Sequence, residues 1–224
     1  MKQMALDIGL PTGPTLANFC AGPNLDALRH LELWVGASAR SPVPTYLWGI
    51  SGSGKTHLLK AAREGLREQG ARVGWLDVNT LEPADYNESW AAVMLDDVHL
   101  YTAAQQHTAF NWFVNAQALQ RPVLAAGEFA PVELQLRDDL RTRLGWGHIF
   151  HLQPLSEAER RAVLRQAADA RGVFLSDEVM DFMLTRFSRD LASLMELLGL
   201  LDGYALQTKR AITIPLIKSM MDNA

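Results

Sequence analysis

The chain has 224 residues, 48% of them hydrophobic, which is enough to bury a sizeable core in one ordinary domain with a small one attached. Its 21 Lys and Arg against 25 Asp and Glu give a net charge of -4, which excludes binding to nucleic acid through bulk charge alone. Cys20 is the single cysteine, so an intramolecular disulfide is excluded, and the absence of a signal-peptide pattern and of a long apolar run predicts a cytoplasmic protein without membrane contact.

The first 14 residues are rich in Gly and Pro and show no sustained helical or strand period after Ile8. This composition predicts a flexible tail over residues 1–14, with regular structure beginning near Thr15.

From Pro44 to Leu152, short apolar runs alternate with helical patterns. The predicted strands are 46–48, 73–78, 93–95, 123–126 and 149–152, and the predicted helices between them are 56–69 and 103–120. Gly70 ends the first of these helices, and Pro122 begins the strand that follows the second. The alternation predicts an α/β core over residues 15–154, with a parallel sheet and helices on both faces.

Residues 155–224 have a purely helical pattern and predict a small all-helical lid domain. Ser156 and Glu159 have the spacing of a capping box, which predicts a helix that ends before Gly172, and two more helical patterns cover 176–187 and 191–208. Three arginines on the first lid helix, namely Arg160, Arg161 and Arg165, form either a solvated outer face or a contact for a partner.

The first predicted strand leads directly into Gly49-x-x-x-x-Gly54-Lys55-Thr56, which is followed by an apolar-periodic helix. This context is typical of a phosphate-binding P-loop, or Walker A motif. The glycines allow backbone N–H groups to surround the β-phosphate, Lys55 reaches the β- and γ-oxygens, and the Thr56 hydroxyl binds Mg²⁺. The predicted phosphate-binding residues are Gly49, Ser51, Gly52, Ser53, Gly54, Lys55 and Thr56.

A second acidic motif follows about 40 residues later. The strand Val93-Met94-Leu95 ends in Asp96 and Asp97, which is the form of a Walker B element. We expect Asp96 to hold Mg²⁺ together with Thr56, and Asp97 to lie near an attacking water. P-loop ATPases of this kind usually carry Glu at the second position, so the shorter Asp97 predicts slow hydrolysis by this chain alone.

Together with these motifs, Phe19-Cys20-Ala21-Gly22-Pro23-Asn24 and Arg143-Leu144-Gly145-Trp146-Gly147 resemble the AAA+ core of the bacterial initiator DnaA. The resemblance covers residues 16–222. It implies that Arg143 is an arginine finger acting in trans, that Arg189 in the lid senses the nucleotide, and that Phe19 and Asn24 belong to the segment that lies against the adenine.

The chain ends at Ala224, where a DnaA initiator would continue into a DNA-binding domain, so we expect no such domain. What remains resembles the Hda family, DnaA-homologous regulators that dock on the DNA polymerase sliding clamp. The tail agrees with that family, because Gln3-Met4-Ala5-Leu6-Asp7-Ile8 resembles a clamp-binding peptide. Gln3 would donate or accept a hydrogen bond, while Met4, Leu6 and Ile8 would enter apolar pockets.

One position departs from the usual AAA+ pattern. Leu124-Ala125-Ala126-Gly127-Glu128 stands where these ATPases display a polar sensor, and Ala126 cannot hydrogen-bond an attacking water. Glu128 is an open candidate for the sensor role. The change favours a protein that holds a diphosphate over one that hydrolyses its own ATP.

The resemblance thus implies a regulatory inactivator of DnaA, which binds ADP or ATP with Mg²⁺, docks on the clamp and stimulates hydrolysis of DnaA-bound ATP. DNA would be reached only through the clamp, and a homodimer is compatible with an AAA+ core. Two alternatives stay open: a DnaA-like or helicase-loader ATPase that hydrolyses its own ATP, and a non-catalytic adaptor with a structural nucleotide.

Overall fold

The computed structural model describes residues 13–187, 191–208 and 210–222. The chain forms two compact units. The first contains the chain up to Gly49 together with Gly54–Leu152, and the second contains Ile50–Ser53 together with the chain from Gln153 onward.

The first unit is built on a sheet of five parallel strands, in the order β2-β3-β4-β1-β5. The strands are β1 (Thr45–Trp48), β2 (Arg72–Leu76), β3 (Trp90–Leu95), β4 (Val123–Gly127) and β5 (His148–His151). The P-loop strand β1 therefore lies between β4 and β5, and β4 separates it from the acidic strand β3. The carboxyl ends of these strands meet at one edge of the sheet, where ligands of open α/β sheets bind.

Helices cover both faces of this sheet, and each face has its own apolar core. The helices of the unit are α1 (Leu25–Gly36), α2 (Lys55–Glu68), α3 (Ala103–Ala118) and α4 (Asp138–Leu144). Leu47 packs into the core that contains residues of α1 and α2, whereas its neighbour Tyr46 packs into the core that contains residues of α3 and α4. This alternation follows from the two-residue period of a strand, and it confirms the predicted fold class.

Several boundaries differ from the prediction. Strand β2 ends at Leu76 and not at Val78, because the Asp77 carboxylate accepts hydrogen bonds from Asn79 N at 3.0 Å and from the Thr80 hydroxyl at 2.9 Å, which turns the chain. Strand β5 covers His148–His151 and is thus displaced by one residue from the predicted 149–152. The helices α1 and α4 were not predicted.

The second unit is helical after Gln153, and its helices share one apolar core. They are α5 (Glu157–Ala170), α6 (Asp177–Arg186), α7 (Leu191–Thr208) and α8 (Ile214–Asp222). The capping box predicted at Ser156 and Glu159 is confirmed, whereas α8 was not predicted. In the described part of the chain, no helix combines the length and the apolar character needed to cross a bilayer.

Two of the three arginines on the first lid helix, Arg161 and Arg165, form ion pairs within the lid. Arg165 binds Asp177 at 2.6 Å, and Arg161 forms ion pairs with Asp177 and Asp181. These pairs join α5 to α6. They favour a structural role for both arginines over the partner contact that the sequence left open.

Candidate nucleotide-binding site

The P-loop connects β1 to α2 and has a backbone that requires glycine. Gly52 has a φ of 78° and Gly54 a φ of 95°, both in the left-handed region. At Gly54 a Cβ would also lie 2.7 Å from Phe19 Cε2. Glycine at position 54 is therefore fixed by backbone conformation and by the close approach of the Phe19 ring.

Lys55 begins α2 and is buried. Its Nζ donates a hydrogen bond to the Gly49 carbonyl at 2.7 Å. Burial lowers the pKa of Lys55, while the carboxylates of Asp97, Glu128 and Asp96 oppose this shift. The ammonium thus lies in a field of three acids at the carboxyl edge of the sheet, where a bound polyphosphate would compete with them for it.

Thr56 and Asp96 converge as predicted for a Mg²⁺ site. Their side chains are hydrogen-bonded to each other, although they come from α2 and from the end of β3. A hydroxyl and a carboxylate are hard oxygen ligands, and Mg²⁺ bound through one carboxylate, phosphates and waters needs no further protein ligand. Among the described residues no cluster of three or more His, Cys, Asp or Glu side chains could hold a metal ion.

The Asp96 carboxyl group is buried beside a second acid. Burial, followed by the charge of Asp97, raises the pKa of Asp96 from 3.8 to about 6, while the hydrogen bonds from Thr56 and from Asp97 N act in the opposite direction. A divalent cation between the acids and the nucleotide would relieve this repulsion. A cation bound at Asp96 would favour its ionised form and so oppose the effects of burial and of Asp97.

Asp97 adopts a left-handed conformation, with φ of 51° and ψ of 43°, and is the N-cap of the short 3₁₀ turn Val98–Leu100. Asp tolerates this conformation better than most residues other than Gly and Asn. The turn redirects the chain immediately after β3. Asp97 contributes negative charge near Lys55, as expected for the second acid of a Walker B element.

Glu128 follows β4 and is held by His99 from the neighbouring segment. His99 Nδ1 accepts a hydrogen bond from Glu128 N at 3.3 Å, so the proton of the neutral ring is on Nε2, which lies 3.3 Å from Glu128 Oε2. His99 and Glu128 are 29 residues apart in the sequence, and the fold brings them together. Ala126 is fully buried, and Glu128 is thus the polar group that the end of β4 presents near Lys55.

A fit to phosphate is also indicated by Ser53. Its hydroxyl is buried and has no hydrogen-bond partner among the residues that the structure describes. A buried hydroxyl without a hydrogen-bond partner costs free energy, and the hydroxyl could donate a hydrogen bond to a phosphate oxygen. Together with the glycine conformations, this agrees with the predicted role of the loop.

The segment before α1 packs against the P-loop helix. Phe19 lies on Gly54, and its ring centroid is 5.4 Å from that of His57. His57 Nε2 is 3.1 Å from the Thr15 carbonyl oxygen, and burial lowers the pKa of His57, so the neutral ring donates to that oxygen. Asn24 is buried at the end of a 3₁₀ turn. The structure therefore brings Phe19 to the P-loop, and it adds His57, which sequence analysis missed as part of this site.

Arg143 lies in the last turn of α4, where it differs from its two neighbouring arginines. Arg137 binds Asp139 at 2.7 Å, and Arg141 binds Asp138 at 2.7 Å. Within the described residues, Arg143 forms no ion pair, and its guanidinium lies 5.4 Å from the ring centroid of Phe110. It is the cation of this helix that remains available to an external anion.

Five predicted site residues lie outside the described residues. They are Gln3, Met4, Leu6 and Ile8 of the clamp-binding peptide and Arg189 of the lid.

Comparison with known proteins supports the resemblance. Residues 157–221 match the family model of the Hda lid domain. An uncharacterised protein of Haemophilus influenzae is 34% identical over 236 aligned positions, which cover 99% of this chain and 99% of that protein.

Solved structures share the fold across both units. Domain III of the replication initiation protein DnaA from Thermotoga maritima has a TM-score of 0.75 at 21% identity and covers 96% of this chain and 98% of its own. AMPPCP-bound DnaA from Aquifex aeolicus has a TM-score of 0.67 at 23% identity, covering 90% and 68%. The Thermotoga maritima RuvB Holliday junction branch migration motor has a TM-score of 0.64 at 17% identity, covering 93% and 71%. With its Hda lid, its DnaA-like fold and a relative that matches from end to end, the chain belongs to the Hda family.

Proposed function

We propose that this chain is a regulatory inactivator of DnaA. Bound to a nucleotide, it docks on the DNA polymerase sliding clamp and supplies an arginine to ATP held by DnaA, and the resulting hydrolysis prevents re-initiation of replication. The observation that carries the proposal is the environment of Arg143: its neighbours Arg137 and Arg141 are paired with acids, whereas Arg143 has no ion pair with any residue that the structure describes.

The pairing pattern separates Arg143 from an ordinary solvated helix face. Asp138 and Asp139 neutralise Arg141 and Arg137, so a phosphate that approaches α4 meets one guanidinium whose charge is not already balanced. A guanidinium supplied in trans stabilises the charge that develops during phosphoryl transfer and accelerates hydrolysis by roughly 10³- to 10⁵-fold in comparable systems. Arg143 is the residue of α4 that fits this role.

The chain's own nucleotide serves a different purpose in this proposal. When bound, Mg²⁺ with ADP or ATP supplies charge neutralisation between the phosphates and the acids, and Lys55, Ser53, Thr56 and Asp96 hold it. Ala126 offers no hydrogen bond to an attacking water, and Glu128 is held by His99. Both features favour slow hydrolysis by this chain, and we propose ADP as the resident nucleotide.

Clamp docking rests on the sequence pattern of the tail. Gln3, Met4, Leu6 and Ile8 would bind the clamp as an extended peptide, and Arg189 would contact the nucleotide from the lid. The predicted clamp-binding residues are distant in sequence from Arg143 on α4, and we propose that one chain holds the clamp while it presents the arginine to DnaA.

The experiment measures hydrolysis of DnaA-bound ATP in the presence of clamp-loaded DNA, with Arg143→Ala compared with Arg141→Ala. We expect Arg143→Ala to reduce the stimulated rate at least 100-fold, because the paired and unpaired arginines differ in their access to an external phosphate. Arg141→Ala removes the same charge from the same helix and should retain most of the stimulation. Equal rates for the two variants would refute the assignment of Arg143.

A Gln3→Ala variant tests docking separately. It should bind nucleotide like the wild type but lose stimulation at low protein concentration. If the wild-type protein instead hydrolyses its own ATP rapidly without DnaA or clamp, the alternative of an independent ATPase replaces this proposal.

A further inference from the structure

Trp146 is a large aromatic residue that the first unit leaves in solvent, next to Arg143. Its exposed fraction is 67%, and it lines a surface cleft together with Asp138, Asp139, Thr142 and Arg143. The two carboxylates of this cleft are paired with Arg141 and Arg137, so the charge of Arg143 is the one left over. Tryptophan is seldom left so exposed unless a partner covers it, and Trp and Arg are the residues that most often dominate binding energies at interfaces. The two side chains thus form a candidate interaction surface.

The backbone that carries Trp146 is fixed by the fold. Trp146 N donates to the Arg143 carbonyl at 3.3 Å, and His148 N donates to the Pro44 carbonyl at 2.9 Å. A Cβ at Gly147 would overlap the Pro44 carbonyl oxygen, so this turn lies directly on the segment before β1. The backbone at Trp146 is therefore ordered, which limits the main-chain entropy that would be lost when a partner binds this turn.

A second exposed apolar side chain lies on the adjoining turn. Val132 is 86% exposed on the 3₁₀ turn Pro131–Glu133, and a Cβ at Gly145 would lie 3.2 Å from Pro131 Cβ, so the two turns are in contact. Val132 and Trp146 together form what we call the Trp146 patch. An apolar patch beside an unbalanced guanidinium fits a partner that offers phosphate oxygens next to an apolar recess.

We propose that the Trp146 patch is the docking anchor that seats the nucleotide-bearing face of ATP-bound DnaA against Arg143. This inference rests on the proposed function, because it assigns the partner from the charge of Arg143. The roles of the two side chains differ: Trp146 contributes to the affinity of the complex, whereas Arg143 contributes to the rate of hydrolysis within it.

The test separates these roles by titrating ATP-bound DnaA with increasing amounts of each variant. Trp146→Ala should raise the concentration that gives half-maximal stimulation at least 10-fold, while the maximal rate stays within a factor of two of the wild type. Arg143→Ala should show the reverse. Stimulation should be lost even at saturating concentrations, whereas the affinity for ATP-bound DnaA, measured directly by binding, should change little. Trp146→Phe should restore part of the affinity.

Leu81→Ala is the matched control, since Leu81 is 89% exposed in the connection between β2 and β3 and lies outside the patch. It should behave like the wild type. Val132→Ser provides a second probe if Trp146→Ala does not fold, and it should raise the half-saturating concentration about 3- to 10-fold. An unchanged half-saturating concentration for the folded patch variants would overturn the inference. It would also be overturned if the patch variants lost self-association of this chain but kept their binding to DnaA, because the patch would then contact a second copy of the chain.

Failure of the proposed function gives a different result. In that case the wild-type protein does not stimulate hydrolysis at any concentration, and binding to ATP-bound DnaA is then measured directly by fluorescence anisotropy. Weaker binding by Trp146→Ala in this assay would support the docking surface without the catalytic role, whereas equal binding by Trp146→Ala and the wild type would overturn it.

Discussion

Replacing Asp96 with Asn should stabilise the ligand-free protein while removing its Mg²⁺ site. Asp96 is buried at the end of β3, and its pKa is raised from 3.8 to about 6, chiefly by burial and then by the charge of Asp97. At neutral pH the carboxylate is ionised in both the folded and the unfolded chain, but its charge is less stable in the fold. The wild-type protein therefore carries an electrostatic cost that an uncharged side chain of the same shape lacks.

The size and the pH dependence of this cost follow from the two pKa values. The pKa of Asp96 differs by about two units between the folded and the unfolded chain, which corresponds to about 3 kcal/mol at about 1.4 kcal/mol for each unit. Because the folded chain holds its proton to higher pH than the unfolded chain, the contribution of Asp96 to the free energy of unfolding falls as pH rises from about 4 to about 6. Asn retains one acceptor for the bond from Asp97 N, which is 3.1 Å long, but its amide must find a partner of its own. We therefore expect a net stabilisation of about 1–3 kcal/mol at pH 7.5 that disappears by pH 4.

The assay is thermal or urea unfolding of the nucleotide-free protein at pH 7.5 and pH 4, compared with the exposed control Asp85→Asn, which should change the free energy of unfolding by less than about 0.5 kcal/mol. At pH 7.5 the melting temperature of Asp96→Asn should rise by roughly 2–10 °C. Adding Mg²⁺ with ADP should make the wild type melt at a higher temperature than Asp96→Asn, because ligand binding stabilises the wild type and the variant has lost the Mg²⁺ ligand. A variant that is destabilised without ligand at pH 7.5, or equally stabilised at both pH values, would refute the reasoning.

Two further predictions concern stability. Gly147→Ala should lower the free energy of unfolding by about 2 kcal/mol or more, because its Cβ would overlap the Pro44 carbonyl oxygen. Gly203→Ala should raise the free energy of unfolding by about 0.5–1 kcal/mol, because Gly203 lies in α7 and its Cβ would meet no atom within 4 Å. Calorimetry of both variants tests this difference in sign. His57 has a lowered pKa because it is buried, so its contribution is present above its unfolded pKa of 6.5 and is lost as pH falls below that value. His57→Gln keeps a donor for the Thr15 carbonyl but does not titrate, so its unfolding free energy should fall less steeply between pH 7 and pH 5, and a slope as steep as that of the wild type would contradict this account.

The sheet could be predicted from the sequence because its strands are short apolar runs with clear punctuation. Gly70 and Pro122 fix the ends of the intervening elements, and the apolar period distinguishes α2 from the strands beside it. Helix α1 was missed although its buried residues Leu28, Leu31 and Val35 recur at helical spacing. It begins shortly after Gly22 and Pro23, and the polar residues Arg29, His30 and Glu32 interrupt its apolar pattern. Helix α4 is short and charged, and its seven residues bury Leu140 and Leu144 without a longer period.

The nucleotide site was predictable where its chemistry depends on local sequence. Consecutive residues form the P-loop, and Asp96 and Asp97 follow one strand, so local residues together with the flanking strand and helix patterns predicted both motifs. Contacts between segments that are distant in the sequence could not be predicted in this way. The bond of His57 to Thr15 joins residues 42 positions apart, and the position of Phe19 on Gly54 depends on how the segment before α1 folds back. Local patterns carry no signal for such contacts.

Arg143 shows what the structure adds to a motif. From the sequence, Arg137, Arg141 and Arg143 are equivalent cations among acids, and a resemblance alone selected one of them. In the fold, Asp139 and Asp138 neutralise the first two, and the turn after α4 places Arg143 and the exposed Trp146 in one cleft. A cation that acts on a partner's nucleotide must be free of internal anions and must lie on a surface that a partner can cover. Among the described residues Arg143 has no ion-pair partner, and it lines a cleft beside the exposed Trp146, so the proposed chemistry and the proposed docking surface are assigned to the same turn.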